Sequence, residues 1–186
     1  MRRPTHSQEP APATKYMGST IVLIGPTAVG KSSIGQAVAL QLGLPFLDSD
    51  QVISRHHGTI AEIFVTVGEP AFRKIEAETI ASLVGSSSVP AVLSVGGGAI
   101  LSPATRQLFH NLTVVWLDTE LKYVLPRLLA QPNRPLFRGD IAEKWQRIAS
   151  ARHHLYEELA DVKIDARKGR VEDLAKTITN HLLERS

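Results

Sequence analysis

The 186-residue sequence contains no cysteine, which excludes disulfide frameworks, thiolate metal sites and a cysteine nucleophile. Aromatic residues make up only 5% of it, so a core has to be built chiefly from aliphatic side chains. No stretch approaches the run of about 18 apolar residues that a membrane span requires. Charge of one sign is scarce too: 21 Lys and Arg stand against 18 Asp and Glu, and the net +3 is spread along the chain. No basic tract gathers to face a phosphate backbone, so nucleic acid is not the expected ligand. Internal repeats are also missing. The length suits one domain with a substantial core rather than two ordinary ones. These absences leave a cytoplasmic monomer, without membrane or nucleic-acid partners, as the expectation.

The first 19 residues hold three prolines and several small or polar residues. They lack the apolar segment of a signal peptide and have the composition of a disordered tail. From residue 20 to 186 a single domain is expected.

What is present is a phosphate-binding loop. Residues 25–32 read Gly25-Pro26-Thr27-Ala28-Val29-Gly30-Lys31-Ser32, a match to GxxxxGK(S/T) that follows an apolar strand pattern and precedes a helical one. Gly25, Ala28, Val29, Gly30, Lys31, Ser32 and Ser33 are expected to wrap the phosphates of a nucleoside triphosphate. Backbone N–H groups converge there, the following helix adds its positive end, and Lys31 reaches the outer phosphates. The Ser32 hydroxyl is expected on Mg²⁺.

Apolar runs and helical periodicities then alternate. Strands are predicted at 21–24, 45–47, 90–95, 113–117 and 162–164. Helices are predicted at 33–42, 51–67 with a break at Gly58, 71–84, 103–110, 121–129, 141–159 and 171–183. A turn is expected at Gly68-Glu69-Pro70, and the Pro-flanked segment around 130–140 is a candidate mobile lid. The alternation implies an α/β fold, a parallel sheet covered by helices on both faces, with ligands at the carboxyl ends of its strands.

Three loops that follow strands carry the chemistry. Asp48 and Asp50 lie two apart at a strand end, where a period of two sends both carboxylates toward the phosphate loop; helix capping is the other reading. Gly96-Gly97-Gly98 is either a tight turn or a place where backbone N–H groups approach a small substrate. Arg73 and Glu76, three apart on a helix, read locally as a surface ion pair, as do Arg152 and Tyr156, four apart. The adjacent pairs His56-His57 and His153-His154 point about 100° apart on a helix and read as surface residues. Trp116 and Trp145 read as packing residues.

The segments GPTAVGKS, FLDSD, IFVTVGEPAFRKIE, VLSVGGGAI, NRPLF and RHHLYEELA, in that order and spacing, resemble shikimate kinases. The resemblance implies a nucleoside-monophosphate-kinase-like fold with a five-stranded parallel sheet and a lid. It also implies transfer of the γ-phosphoryl group of ATP, with Mg²⁺, to the 3-hydroxyl of shikimate. By it, Asp50 binds the substrate hydroxyls and accepts the proton of the attacking one, and Asp48 lies near Mg²⁺. Arg73 and Arg152 hold the substrate carboxylate, while Gly96, Gly97 and Gly98 touch the substrate. Arg134 is the catalytic lid arginine at the transferring phosphate, and Arg127 lies against adenine.

Two positions depart from the pattern: Ala28 stands where many of these enzymes have glycine, and Phe137 where a second leucine is common. Three other readings attach to the same loop. The sequence GPTAVGKS also resembles tRNA prenyltransferases, which are longer and lack the triple glycine. A kinase for another small hydroxy acid, such as gluconate, would carry similar groups. A non-catalytic nucleotide-binding regulator would not need the acid and arginines that are present. Arg167, Lys168 and Arg170 either line an adenine pocket or decorate a solvated loop.

Overall fold

The computed structural model describes residues 16, 18–86, 88–130 and 140–185. The expected lid at 131–139, with Arg134 and Phe137, lies outside the described residues, as does most of the first 19.

Five strands, β1 (Ile21–Ile24), β2 (Phe46–Asp48), β3 (Val92–Ser94), β4 (Thr113–Asp118) and β5 (Val162–Asp165), form one sheet in the order β2-β3-β1-β4-β5. Every pairing is parallel. The central strand, Ile21-Val22-Leu23-Ile24, is buried along its whole length, because helices cover both faces of a parallel sheet and its strands become continuous apolar runs. Eight α-helices are described: α1 (Lys31–Leu42), α2 (Ser49–His57), α3 (Ile60–Thr66), α4 (Gly68–Gly85), α5 (Pro103–Phe109), α6 (Leu121–Leu129), α7 (Ile141–Leu159) and α8 (Val171–Glu184).

Alternate residues of β1 divide the core. Ile21 and Leu23 face Ile34, Val38 and Leu42 of α1 and Ala175, Ile178 and Leu182 of α8. Val22 and Ile24 face Ile80 of α4, Phe109 of α5 and Tyr156 of α7. Two smaller clusters lie nearer the strand ends. One joins Val124 and Leu128 of α6 to Trp145 of α7, and the other joins Ile53, Ile63 and Phe72 of α2, α3 and α4.

Several boundaries differ from the sequence reading, each for a local reason. Helix α1 begins at Lys31, so Lys31 and Ser32 occupy its first turn. The predicted turn at Gly68-Glu69-Pro70 is the first turn of α4, which Gly68 enters with φ +78°; Pro70 fits there because the first-turn N–H groups have no intrahelical partner. Beyond β3, a short 3-10 turn at Ala99–Leu101 follows the triple glycine. Tyr16, within the span read as tail, is buried against the core and its hydroxyl lies 3.4 Å from Thr113 Oγ1.

Gly35 sits where α1 meets the sheet: a Cβ there would lie 2.7 Å from Phe46 Cε2 and 2.9 Å from Leu23 Cδ1. Helix propensity alone favours alanine by about 1 kcal/mol, but overpacking a filled core costs about 1–3 kcal/mol. Gly35→Ala is therefore expected to lower the urea denaturation midpoint; a raised midpoint would show that Phe46 and Leu23 yield without cost.

Candidate active site

The loop after β1 has the backbone its sequence requires. Gly25 and Gly30 have φ +141° and +110°, values that favour glycine. Ala28, at φ +69°, is the one non-glycine described residue with positive φ, a conformation that costs an L-residue about 1–2 kcal/mol. Lys31 is buried, and its Nζ donates to the carbonyls of Gly25 at 2.8 Å and Pro26 at 3.0 Å. Two side chains from outside the loop also hold it. Arg127 Nη1 donates to the Ala28 and Val29 carbonyls at 3.0 and 3.2 Å, and Trp145 Nε1 donates to the Thr27 carbonyl at 3.0 Å.

Asp48 serves the strand end in two ways at once. Its Oδ1 accepts from the Gln51 N–H at 3.1 Å, capping α2, and its Oδ2 accepts from the Ser32 hydroxyl at 2.6 Å. Because Asp48 ends β2 and caps α2 with no intervening loop, Asp50 lies in the first helical turn. The strand-period argument for the pair therefore gives way to helix geometry, although both acids stay at the carboxyl end of the sheet.

The loop after β3 explains its glycines by space rather than by backbone angle, since none of the three is among the positive-φ glycines. A Cβ on Gly96 would collide with Glu76 Oε1 and lie 3.1 Å from Asp50 Oδ1. One on Gly98 would collide with the Arg73 guanidinium, and one on Gly97 would crowd Thr27 and the Gly25 carbonyl. Asp50, Arg73 and Glu76 thus converge on the triple glycine, next to the phosphate loop. A cavity of about 300 Å³ joins the two loops, with Lys31, Ser32, Asp50, Gly96, Gly97 and Arg127 among its walls.

Charge is concentrated here. Glu76 is only 2% exposed, and its Oε2 accepts from Arg73 Nη1 at 2.7 Å; the pair read locally as superficial is largely buried. Burial raises the Glu76 pKa, and Arg73 only partly offsets that. Burial pulls the Arg73 guanidinium down, but Glu76 and Glu69 outweigh it and leave its pKa above the ordinary value. Glu69 Oε1 accepts from Arg73 Nε and Nη2 at 3.2 and 2.8 Å. Arg152 is also buried, and its Nη1 donates to the Gly97 carbonyl at 3.2 Å. Burial lowers its pKa, yet a guanidinium remains charged at any physiological pH. Tyr156, pushed up to about 12 mainly by burial, keeps its proton and donates it to the same Gly97 carbonyl at 2.6 Å.

Sequence reasoning missed three members of this site. Glu76 was visible only as a charge partner, Tyr156 only as a neighbour of Arg152, and Trp145 only as bulk. Ser33 is exposed at the start of α1. Arg167 and Arg170 lie on an exposed loop, paired with Asp165 and Glu120 and with Asp173 respectively, and Lys168 is exposed beside them. Both histidine pairs are exposed, and among the described residues no cluster of three or more His, Cys, Asp or Glu could hold a metal. No described helix is long and apolar enough to cross a membrane.

The shikimate kinase family model matches residues 27–183. A shikimate kinase of Rhodococcus jostii is 39% identical over 150 residues, spanning 80% of this chain and 88% of that one. The shikimate kinase of Acinetobacter baumannii, solved in complex with shikimate, has a TM-score of 0.86 at 34% identity and covers 92% of this chain and 96% of its own. A gluconokinase from Sinorhizobium meliloti, at TM-score 0.57 and 18% identity over 92% of this chain and 99% of its own, shares the fold alone. With the parallel sheet and the phosphate loop in place, the chain belongs to the shikimate kinase family, enzymes that phosphorylate shikimate with ATP as co-substrate.

Proposed function

We propose that the cleft between the phosphate loop and the triple glycine carries both substrates, and that Asp50 receives the proton of the attacking 3-hydroxyl of shikimate. The observation that carries this reading is the convergence of Asp50, Arg73 and Glu76 on Gly96–Gly98, where Asp50, Gly96 and Gly97 line a cavity shared with Lys31 and Ser32. A compact acid bearing vicinal hydroxyls needs cations at one end and a carboxylate acceptor at the other, and phosphoryl transfer needs alignment more than covalent chemistry. Arg73 and Arg152 are the cations for the substrate carboxylate. Gly96, Gly97 and Gly98 admit the substrate close to the backbone. Lys31 exchanges the Gly25 and Pro26 carbonyls for the outer phosphates, which the N–H groups of Gly25, Ala28, Val29, Gly30, Ser32 and Ser33 surround. Arg127, beside the loop, is the candidate neighbour of adenine.

Ser32 and Asp48 fit Mg²⁺. Their oxygens lie 2.6 Å apart, and an all-oxygen donor set with room for phosphate and water is what this hard cation takes. When bound, it supplies charge neutralisation of the phosphates. A dependence on ATP supports a cytoplasmic location.

A coupled ADP-release assay with MgATP is expected to show turnover on shikimate and none on gluconate. Asp50→Asn is expected to cut kcat by about 10²–10⁴-fold, the range for removing a general base. Turnover on gluconate alone, or an Asp50→Asn enzyme with normal kcat, would overturn the assignment.

Three N–H groups of Arg73 hold two carboxylates, a fork that lysine cannot reproduce. Arg73→Lys is therefore expected to raise KM for shikimate about tenfold or more while KM for ATP stays within about twofold; an unchanged shikimate KM would defeat the role given to Arg73.

Because a Gly98 side chain would displace the Arg73 guanidinium, Gly98→Ala is expected to lower kcat/KM for shikimate by about 10- to 100-fold, the scale of ångström-level misplacement. The same assay reads the outcome, and full activity would mean that Arg73 holds the substrate from elsewhere.

A further inference from the structure

Trp145 stands outside the phosphate cavity yet bonds the loop that forms it. The residue lies on α7, is 4% exposed, and packs with Val124 and Leu128 of α6, with Ala28 against the cluster. It also walls a separate cavity that includes Pro26, Leu121 and Tyr156, and it is not among the residues that line the cavity of Lys31 and Ser32. From there Nε1 donates to the Thr27 carbonyl at 3.0 Å.

That single bond has a directional consequence. A trans peptide is planar, so its C=O and N–H point in opposite directions. Drawing the Thr27 carbonyl toward Trp145 therefore turns the Ala28 N–H away from the indole, and Ala28 itself lines the cavity of Lys31 and Ser32. The next peptide is fixed as well, because Arg127 donates to the Ala28 carbonyl at 3.0 Å. Ala28 lies between these two fixed peptides in its left-handed conformation, φ +69°. A non-glycine residue stays in such a conformation only where its surroundings over-determine it. The bonds on either side of Ala28 are that surrounding, and together they let an alanine do what a glycine does unaided.

We propose that Trp145 is a positioning residue for nucleotide binding: its indole N–H holds the Thr27–Ala28 peptide in the orientation that cradles phosphate and offsets the strain of Ala28. The proposal rests on the reading of this loop as the ATP site.

The test is steady-state kinetics of the full chain with Trp145→Phe, which removes the donor and keeps an aromatic ring in the packing. KM for ATP is expected to rise about five- to tenfold, the scale of one lost hydrogen bond, while KM for shikimate stays within about twofold. In an Ala28→Gly background the same substitution is expected to raise KM for ATP less than about twofold, since glycine adopts the left-handed conformation without help. Equal rises in both KM values, or the same ATP effect in both backgrounds, would overturn the proposal. A second measurement uses the wild-type protein labelled with ¹⁵N-tryptophan, its two indole signals assigned with Trp116→Phe. ADP is expected to shift the Trp145 signal, and shikimate alone to leave it in place; a Trp145 signal indifferent to saturating ADP would overturn the role. Failure of the wild-type enzyme to bind ATP would instead remove the loop reading, a result distinct from normal ATP binding with an unaltered Trp145→Phe enzyme.

Discussion

All five strands point the same way, and the placement of the loops after β1, β2 and β3 follows from that constraint. With β1 central and β3 beside it, the chain segments leaving β1, β2 and β3 emerge at one edge of the sheet. Short bonds then tie them together. Ser32 reaches Asp48 across from the loop after β1 to the end of β2, and Gly97 lies against Thr27 and Gly25. A sheet of mixed polarity would send some of these loops to the opposite edge and leave a phosphate cradle with no acceptor site beside it.

The charged cluster beside the triple glycine is an electrostatic construction set in a low-dielectric wall. An isolated buried carboxylate would neutralise itself by taking up a proton, and an isolated buried pair of arginines would repel. Glu76 lies between these failures: it draws Arg73 into place and feels both Asp50 and Arg152. A buried ion pair contributes little net stability because desolvation consumes most of the Coulomb gain, but breaking one is costly. The arrangement therefore makes better sense as the fixing of side-chain positions than as a source of fold stability. The triple glycine is its geometric complement, since the charged groups occupy the volume its side chains would have filled.

Much of this was legible in the sequence, and the exceptions have definite causes. The strands announced themselves as apolar runs ended by glycine or acid, and the phosphate loop by its spacing and flanks. The five-stranded parallel sheet follows the expected α/β architecture. Asp50 was misplaced because a single residue, Asp48, ends a strand and starts a helix, which no periodicity resolves. Arg73 and Glu76 are three apart whether their helix faces water or the sheet, so local spacing could not tell a superficial pair from a buried one; long-range packing of α4 beneath the β3 loop decides it. The part of Trp145 is hidden for the same reason, because its hydrogen-bond partner is 118 residues away.

Helix α7 carries Trp145, Arg152 and Tyr156 at intervals of seven and four, a single stripe down one face. Trp145 grips the loop after β1, while Arg152 and Tyr156 both grip Gly97 in the loop after β3. The helix is thus a splint laid across the loops that leave two neighbouring strands. A rigid-body shift of that helix moves both grips together, so the two loops answer to one helical rod rather than to two independent hinges.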